Sequence, residues 1–174
     1  MSRKEFYKLL PQMQDYDELG FNWIPFLMFN QSNNFRSKSV NTDNVGFRFN
    51  NTNFMRKNVI NTDNINVEKN LICGGSFAFG TGATKDEYTI SALISKNSTT
   101  TLNLSGSAFV GFQDIITLIS NINSLKSVKK IIIFTGINDL YLNKNFGNVY
   151  PDTMFFSNSF SEAMDDKVLS RKKY

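Results

Sequence analysis

Three short stretches of strand-like sequence constrain the fold of this chain more than any other feature of its sequence. They are residues 69–73, 100–104 and 131–134, and the last of them reads IIIF. Segments of helical character lie between them, and the order strand, helix, strand, helix, strand is typical of parallel strands joined by crossover helices. The sequence therefore predicts an α/β fold with a parallel sheet over residues 69–145.

Capping residues and apolar periodicity predict the two intervening helices. Thr84 and Glu87 have the spacing of a capping box, in which both side chains bind free backbone amides at a helix start. The first helix would then run to about Lys96. The second is indicated by apolar residues that recur at helical spacing: Phe112, Ile115, Ile116, Ile119, Ile122 and Leu125.

The first 68 residues lack this regular pattern. Between positions 30 and 66 there are 12 asparagines, a residue that favours turns, so we expect mostly loop with short strands. Residues 1–68 would be an irregular segment that packs on the α/β core of residues 69–145, and residues 146–174 would form a C-terminal segment with a basic tail. The anchors expected in the first segment are Phe21, Trp23, Ile24, Phe26, Leu27 and Phe29.

Composition narrows the expected partners and location. The net charge is +4, and four cations fall in the last eight residues, which indicates a solvated tail rather than a nucleic-acid surface. No apolar run approaches the roughly 18 residues of a membrane span, and the N-terminus does not read as a secretory signal. Cys73 is the only cysteine, which excludes an internal disulfide. We therefore expect a cytoplasmic protein without a membrane span or a nucleic-acid partner.

Each predicted strand is followed by a loop of glycine and small polar residues. These are the Ser76 loop (74–80, GGSFAFG), the Gly106 loop (104–111, LSGSAFVG) and the Asn138 loop (135–140, TGINDL). In an open parallel sheet, ligands bind beyond the carboxyl ends of the strands. If the first strand lies between the other two, the three loops converge on one site.

The residues in these loops fit acyl transfer better than phosphate binding. Neither glycine-rich phosphate motif matches the sequence. Ser76 at a strand-to-helix bend follows the logic of a nucleophile elbow, although Ala78 stands where that motif has its last glycine. The amide of Ser76, an amide of the Gly106 loop and the side-chain amide of Asn138 could stabilise an oxyanion.

A purely structural interpretation of the same residues stays open. The glycines could simply permit a tight turn, Ser76 could cap a helix, and Asn138 and Asp139 could form an ordinary turn or cap. We expect a structural role for Asp139, and we expect Cys73 to be a core residue rather than a reactive thiol. Only the co-occurrence of all three loops favours a functional site.

Three stretches carry a family resemblance: GGSFAFGTGAT, LNLSGSAFVGFQD and FTGINDL. In order and spacing they resemble the first three conserved blocks of the SGNH (GDSL-like) hydrolase superfamily. Residues 40–50, VNTDNVGFRFN, are similar to an Asn-Gly-Phe-Arg segment that precedes the hydrolase domain in a branch found with bacterial surface-glycan genes. The resemblance covers about residues 40–145. It implies a three-layer α/β/α sandwich with a flavodoxin-like parallel sheet and no metal or organic cofactor.

The resemblance also implies site residues and a substrate class. By position, Ser76 matches the nucleophile, Asn138 an oxyanion donor, and Gly106 approximates another donor, with Ser107 or Ala108 as alternatives. The implied activity is that of an esterase or O-deacetylase on a small-molecule or glycan ester. The fourth block of the family, Asp-x-x-His, is not matched, because the chain contains no histidine.

A serine without a general base is a poor nucleophile at neutral pH. We therefore expect the N-terminal part of a longer hydrolase, inactive alone. A Ser–Lys pair with a lysine of the basic tail is a less favoured way to supply the base. The second hypothesis is a non-catalytic descendant that binds an acyl or glycan group, and the third is a nucleotide-binding protein.

Overall fold

A computed structural model of the chain describes residues 2–50, 67–97 and 99–146. The C-terminal segment with its basic tail lies outside these residues. The helices are α1 (Arg3–Leu9), α2 (Gln12–Glu18), α3 (Ser76–Phe79), α4 (Ile90–Asn97), α5 (Gly111–Asn121) and α6 (Ile137–Phe146). The strands are β1 (Phe21–Ile24), β2 (Met28–Gln31), β3 (Lys69–Gly74), β4 (Thr101–Asn103) and β5 (Val128–Phe134). Two 3₁₀ turns, Asp86–Tyr88 and Ile122–Ser124, complete the regular structure of the described residues.

The main sheet has three parallel strands in the order β4-β3-β5. The predicted α/β character and the parallel pairing are therefore confirmed. Strand β3 is buried along its whole length, as expected for the central strand of such a sheet. One face of the sheet packs into a core formed by Phe47, Leu71, Cys73, Leu102 and Leu104.

The N-terminal segment contains more regular structure than its asparagine content indicated. Helices α1 and α2 come before an antiparallel pair, β1 and β2, and both helices were absent from the expectation of loop and short strands. Helix α1 begins with a capping box: the Ser2 hydroxyl accepts from the Glu5 amide at 3.3 Å, and the Glu5 carboxylate accepts from the Ser2 amide at 2.6 Å. The expected anchors of this segment are only partly buried: Leu27 and Phe29 pack against Phe109. The expectation was wrong for Phe21, Trp23 and Phe26, which are exposed.

The predicted start of the helix before β4 was wrong. Residues Asp86–Tyr88 form a 3₁₀ turn, and α4 begins only at Ile90. The side chain of Thr89 caps it, because its hydroxyl oxygen accepts from the amide of Ala92 at 3.3 Å. The turn departs from helix because the Asp86 carboxylate is bound elsewhere, by the side chains of Arg48 and Asn41.

Helix α5 forms where its apolar periodicity predicted it, but much of the apolar stripe faces solvent. Ile115, Ile119 and the following Ile122 are between 55% and 65% exposed. Polar residues of α5 are buried instead: Gln113, Asp114 and Thr117. Over the described residues, every helix is too short or too polar to cross a bilayer.

Candidate functional site

The three glycine-containing loops meet at the carboxyl end of the central strand. The Gly106 amide donates to the carbonyl oxygen of Gly74 at 3.1 Å, which joins the Gly106 loop to the Ser76 loop. The Asn138 side-chain amide donates to the carbonyl oxygen of Phe109 at 2.7 Å, which joins the Asn138 loop to the Gly106 loop. The convergence expected from the order of the strands is therefore present.

Ser76 lies on a bend that requires glycine at the two preceding positions. Gly74 has φ +144°, and a Cβ there would lie 2.2 Å from the carbonyl oxygen of Phe134. A Cβ on Gly75 would lie 2.8 Å from the side-chain nitrogen of Asn138. Any larger residue at these positions would clash with the third strand or its loop. The bend therefore brings Ser76 beside Asn138, as the sequence indicated.

Ser76 is the first residue of α3 rather than its cap. Gly75 occupies the cap position, and within the described residues the Ser76 hydroxyl has no hydrogen-bond partner. The helix-cap interpretation of Ser76 is therefore not what this geometry shows. The hydroxyl lies at a pocket of about 270 Å³, here called the Ser76 pocket. It is lined by Gly75, Ser76, Phe77, Phe109, Phe134, Thr135, Gly136, Ile137 and Asn138.

The Ser76 pocket is uncharged and mainly apolar. None of its nine lining residues carries a formal charge. Phe77 is 75% exposed and Ile137 71% exposed, so two large apolar side chains stand in solvent beside the serine. Such a wall suits an apolar group of a ligand, whereas a phosphate would need cationic or convergent amide donors.

The amide of Gly106 is already used within the protein. Its single proton goes to the Gly74 carbonyl, and Gly106 is not among the lining residues of the Ser76 pocket. Glycine is needed there because a Cβ would lie 2.2 Å from the Phe109 ring. The neighbouring Ala108 has φ +67°, in the left-handed region that glycine favours. The Gly106 amide is therefore not a donor to the Ser76 pocket, and neither Ser107 nor Ala108 is among the lining residues.

Asp139 has a structural role at this end of the sheet. Its two carboxylate oxygens accept from the amide of Gly111, at 3.0 and 3.1 Å, and so stabilise the start of α5. Cys73 is fully buried, and burial, with a smaller effect of the nearby Asp114 charge, raises the pKa of its thiol to about 12. A thiol with that pKa is unreactive at neutral pH, in agreement with a core role.

Asp114 is a buried carboxylate that the sequence did not single out. It is 2% exposed, and neither oxygen has a hydrogen-bond partner of normal geometry in the described part of the chain. Burial raises the pKa of Asp114 to about 6, and the nearby Thr135 hydroxyl and Gly74 amide lower it only in part.

Comparison with known proteins does not assign this chain to a family. No protein-family model matches the chain, and no curated protein matches it. The resemblance to SGNH hydrolases therefore stays an expectation from the sequence, and the function of the site has to be argued from its own residues.

Three residues outside the pocket hold the carbonyl end of α3. The Arg48 guanidinium donates to the carbonyl oxygens of Phe79 and Gly80, the Tyr16 hydroxyl donates to Gly80, and the Asn103 side chain donates to Ala78. Sequence reasoning assigned none of these roles. Arg48 lies in the segment 40–50 that carried part of the resemblance, whereas Tyr16 and Asn103 had no signal.

Proposed function

We propose that Ser76 is the nucleophile of an ester hydrolase of the SGNH type, which acts on a small-molecule or glycan ester. The observation that carries this proposal is that Ser76 lines a pocket, has no hydrogen-bond partner for its hydroxyl among the described residues, and lies on a bend that packs against the Asn138 side chain. A serine held in this way can attack a carbonyl carbon once a base accepts its proton.

Two donors would stabilise the oxyanion: the Ser76 amide and the Asn138 side-chain amide. Asn138 supports this role because its side chain is already fixed by Phe109, so it needs no reorganisation. Gly106 is left out of the proposal because its amide donates to Gly74, and its alternatives Ser107 and Ala108 are not among the lining residues of the Ser76 pocket. The loss of one such donor costs roughly 3 kcal/mol of transition-state stabilisation in hydrolases.

The proposal requires a general base that histidine cannot supply within these 174 residues, since they contain none. The chain alone would then be inactive or nearly so. We also propose that the complete fold is a three-layer α/β/α sandwich with a flavodoxin-like sheet. The half-exposed apolar residues of β5, Ile131 and Ile133, support further structure on that side. A cytoplasmic location belongs to the same proposal and rests on the single, unpaired Cys73.

The test is covalent labelling of Ser76 by a small fluorophosphonate, with imidazole added as an external base. We expect slow labelling that accelerates with imidazole concentration, because imidazole would accept the proton that the chain cannot. The Ser76→Ala variant should not be labelled, and the control Ser107→Ala, in the neighbouring loop, should be labelled like the wild type. Labelling that persists in Ser76→Ala, or that is absent at every imidazole concentration, would contradict a nucleophilic role.

The second candidate is a non-catalytic protein that binds an acyl group. The uncharged, mainly apolar lining of the Ser76 pocket favours it. The two candidates differ in their dependence on the hydroxyl, since octanoate binding followed by amide chemical shifts should survive in Ser76→Ala. Octanoate binding without any labelling of Ser76 would favour this candidate. The same lining disfavours nucleotides, and we expect no thermal shift with millimolar nucleotide.

A further inference from the structure

We infer that Arg48 is a positioning residue for Ser76, which acts by holding the carbonyl end of the helix that begins with this serine. The effect of Arg48 on the reactivity of Ser76 rests on the proposed function. The effect of Arg48 on the backbone geometry of the Ser76 loop does not depend on that function. Its basis is the set of hydrogen bonds that connects the guanidinium to that loop.

Arg48 is fully buried and has four hydrogen bonds. Nε donates to Oδ1 of Asp86 at 2.9 Å, and Nη2 donates to the carbonyl oxygen of Ser39 at 2.7 Å. Nη1 donates to the carbonyl oxygens of Phe79 at 3.2 Å and Gly80 at 2.7 Å. The planar guanidinium can serve all these acceptors at once, and its charge is compensated by Asp86.

Helix α3, which Arg48 contacts, is too short to be stable through its own hydrogen bonds. Helix α3 has only four residues, so the carbonyl groups of Ala78 and Phe79 at its end have no amide of the helix to bind. Side chains from elsewhere satisfy them instead. Besides Arg48, the Asn103 side chain donates to Ala78 at 3.1 Å, and the Tyr16 hydroxyl shares its proton between the carbonyl oxygens of Gly80 at 3.0 Å and Ala83 at 2.8 Å. The conformation of α3 is therefore imposed by its surroundings.

Two backbone hydrogen bonds connect this end of α3 to Ser76. The amide of Gly80 donates to the carbonyl oxygen of Ser76 at 3.0 Å, and the amide of Thr81 donates to the same oxygen at 2.9 Å. Gly80 has φ +85°, and a Cβ there would lie 3.1 Å from Nη1 of Arg48. The glycine therefore permits the close approach of the guanidinium. A shift of Gly80 would move the Ser76 carbonyl, and with it the hydroxyl and amide.

Arg48 is itself held in place by Asp86, whose carboxylate is bound by Asn41. The Asp86 carboxylate accepts from the Asn41 backbone amide at 3.2 Å and from its side-chain amide at 2.7 Å. These bonds orient the carboxylate toward Nε of Arg48. The N-terminal segment is in this way part of the support of the candidate site. Lysine at position 48 could keep the ion pair with Asp86, but it could not bridge the carbonyl groups of Ser39, Phe79 and Gly80.

The experiment compares Arg48→Lys with the matched control Arg36→Lys. Arg36 lies in the same segment and also donates to backbone carbonyls, but it is exposed and has no contact with α3. Tyr16→Phe is the second test variant, because it removes one donor to Gly80 and conserves the ring. The measurements are the melting temperature, the amide chemical shifts of Ser76 and Thr81, and the rate of fluorophosphonate labelling in imidazole, all well below the lowest melting temperature.

In Arg48→Lys we expect labelling to slow by about tenfold or more, with shifted Ser76 and Thr81 amide signals, since small displacements of a nucleophile have large kinetic effects. Arg36→Lys should match the wild type in every measurement. If Arg48→Lys does not fold, the Tyr16→Phe variant tests the inference instead. In that variant we expect the labelling rate to decrease by about threefold and the amide signals of Ser76 and Thr81 to shift. Wild-type amide signals and labelling in a folded Arg48→Lys would overturn the inference.

The two proposals can fail separately. If the wild type is never labelled, the nucleophilic role of Ser76 fails, and the amide signals alone decide the positioning role. Unchanged signals at Ser76 and Thr81 in the folded variants would then overturn it. Shifted signals with no labelling would keep Arg48 as the support of a binding loop.

Discussion

The Asp114 carboxylate is buried in the first turn of α5 beside the end of the central strand. Its two oxygens have no hydrogen-bond partner of normal geometry among the described residues, and burial raises its pKa to about 6. An ionised carboxylate without partners costs free energy in the folded state, whereas the protonated form costs much less. Asp114 therefore makes the stability of this protein depend on pH.

The sign follows from the direction of the shift. The unfolded chain ionises Asp114 near pH 4 and the folded chain near pH 6, so folding is penalised progressively between these values and fully above them. We expect Asp114→Asn to raise the free energy of unfolding at pH 7 by on the order of 1–3 kcal/mol, and to change it little at pH 4. Urea denaturation from pH 4 to pH 7 measures this.

The control for that experiment is Glu18→Gln, which neutralises an exposed carboxylate on α2. It should leave the free energy of unfolding within about 0.5 kcal/mol of the wild type at both pH values. An Asp114→Asn variant with the same pH profile as the wild type would show that the carboxylate is solvated or paired in solution.

At the level of elements, local sequence signals predicted the strands and the convergence of their loops better than they predicted helix starts. The three strands and the bend at Ser76 were predictable because apolar runs ending in glycine have few alternatives in a parallel sheet. The start of α4 was not predictable, because the hydrogen bonds of Asp86 to Arg48 and Asn41 join residues that are far apart in the sequence. Helix α1 was missed although its capping box, from Ser2 to Glu5, is visible in the sequence.

The Gly106 loop shows the same limit within the site. Its glycine pattern suggested an oxyanion donor, but the Phe109 ring fills the space beside Gly106, and the Gly106 amide donates to Gly74. The position of the Phe109 ring cannot be inferred from the spacing of the glycines. The left-handed backbone at Ala108 is equally hidden, since alanine does not signal it.

The corrected start of α4 makes a prediction for two threonines. Thr89→Ala removes the hydroxyl that accepts from the Ala92 amide and donates to the Asp86 carbonyl, and we expect a loss of about 1–2 kcal/mol in the free energy of unfolding. Thr84→Ala changes the exposed residue of the predicted capping box and should cost less than about 0.5 kcal/mol. A larger loss in the free energy of unfolding for Thr84→Ala than for Thr89→Ala, measured by urea denaturation, would support the predicted capping box at Thr84 instead.

At the scale of the whole molecule, exposed apolar residues recur along helix α5 and along strand β5. Ile115 and Ile119 of α5 are 55% and 59% exposed, and Ile131 and Ile133 of β5 are 50% and 52% exposed. Single exposed apolar residues are ordinary, but repeated ones on one helix and one strand mark a surface that is covered in a stable state. The parallel strand β5 has a paired neighbour, β3, on one side only in the described sheet.

We therefore expect the isolated chain to self-associate as its concentration rises, because association removes this apolar surface from water. Sedimentation velocity over a range of concentrations measures the effect. The double variant Ile115→Lys/Ile119→Glu should shift the distribution toward monomer, whereas Leu9→Lys, at an exposed leucine of α1, should behave like the wild type. A wild-type chain that stays monomeric and melts in one sharp cooperative transition would show that this surface needs no cover, and would remove the support that β5 gives to a larger sandwich.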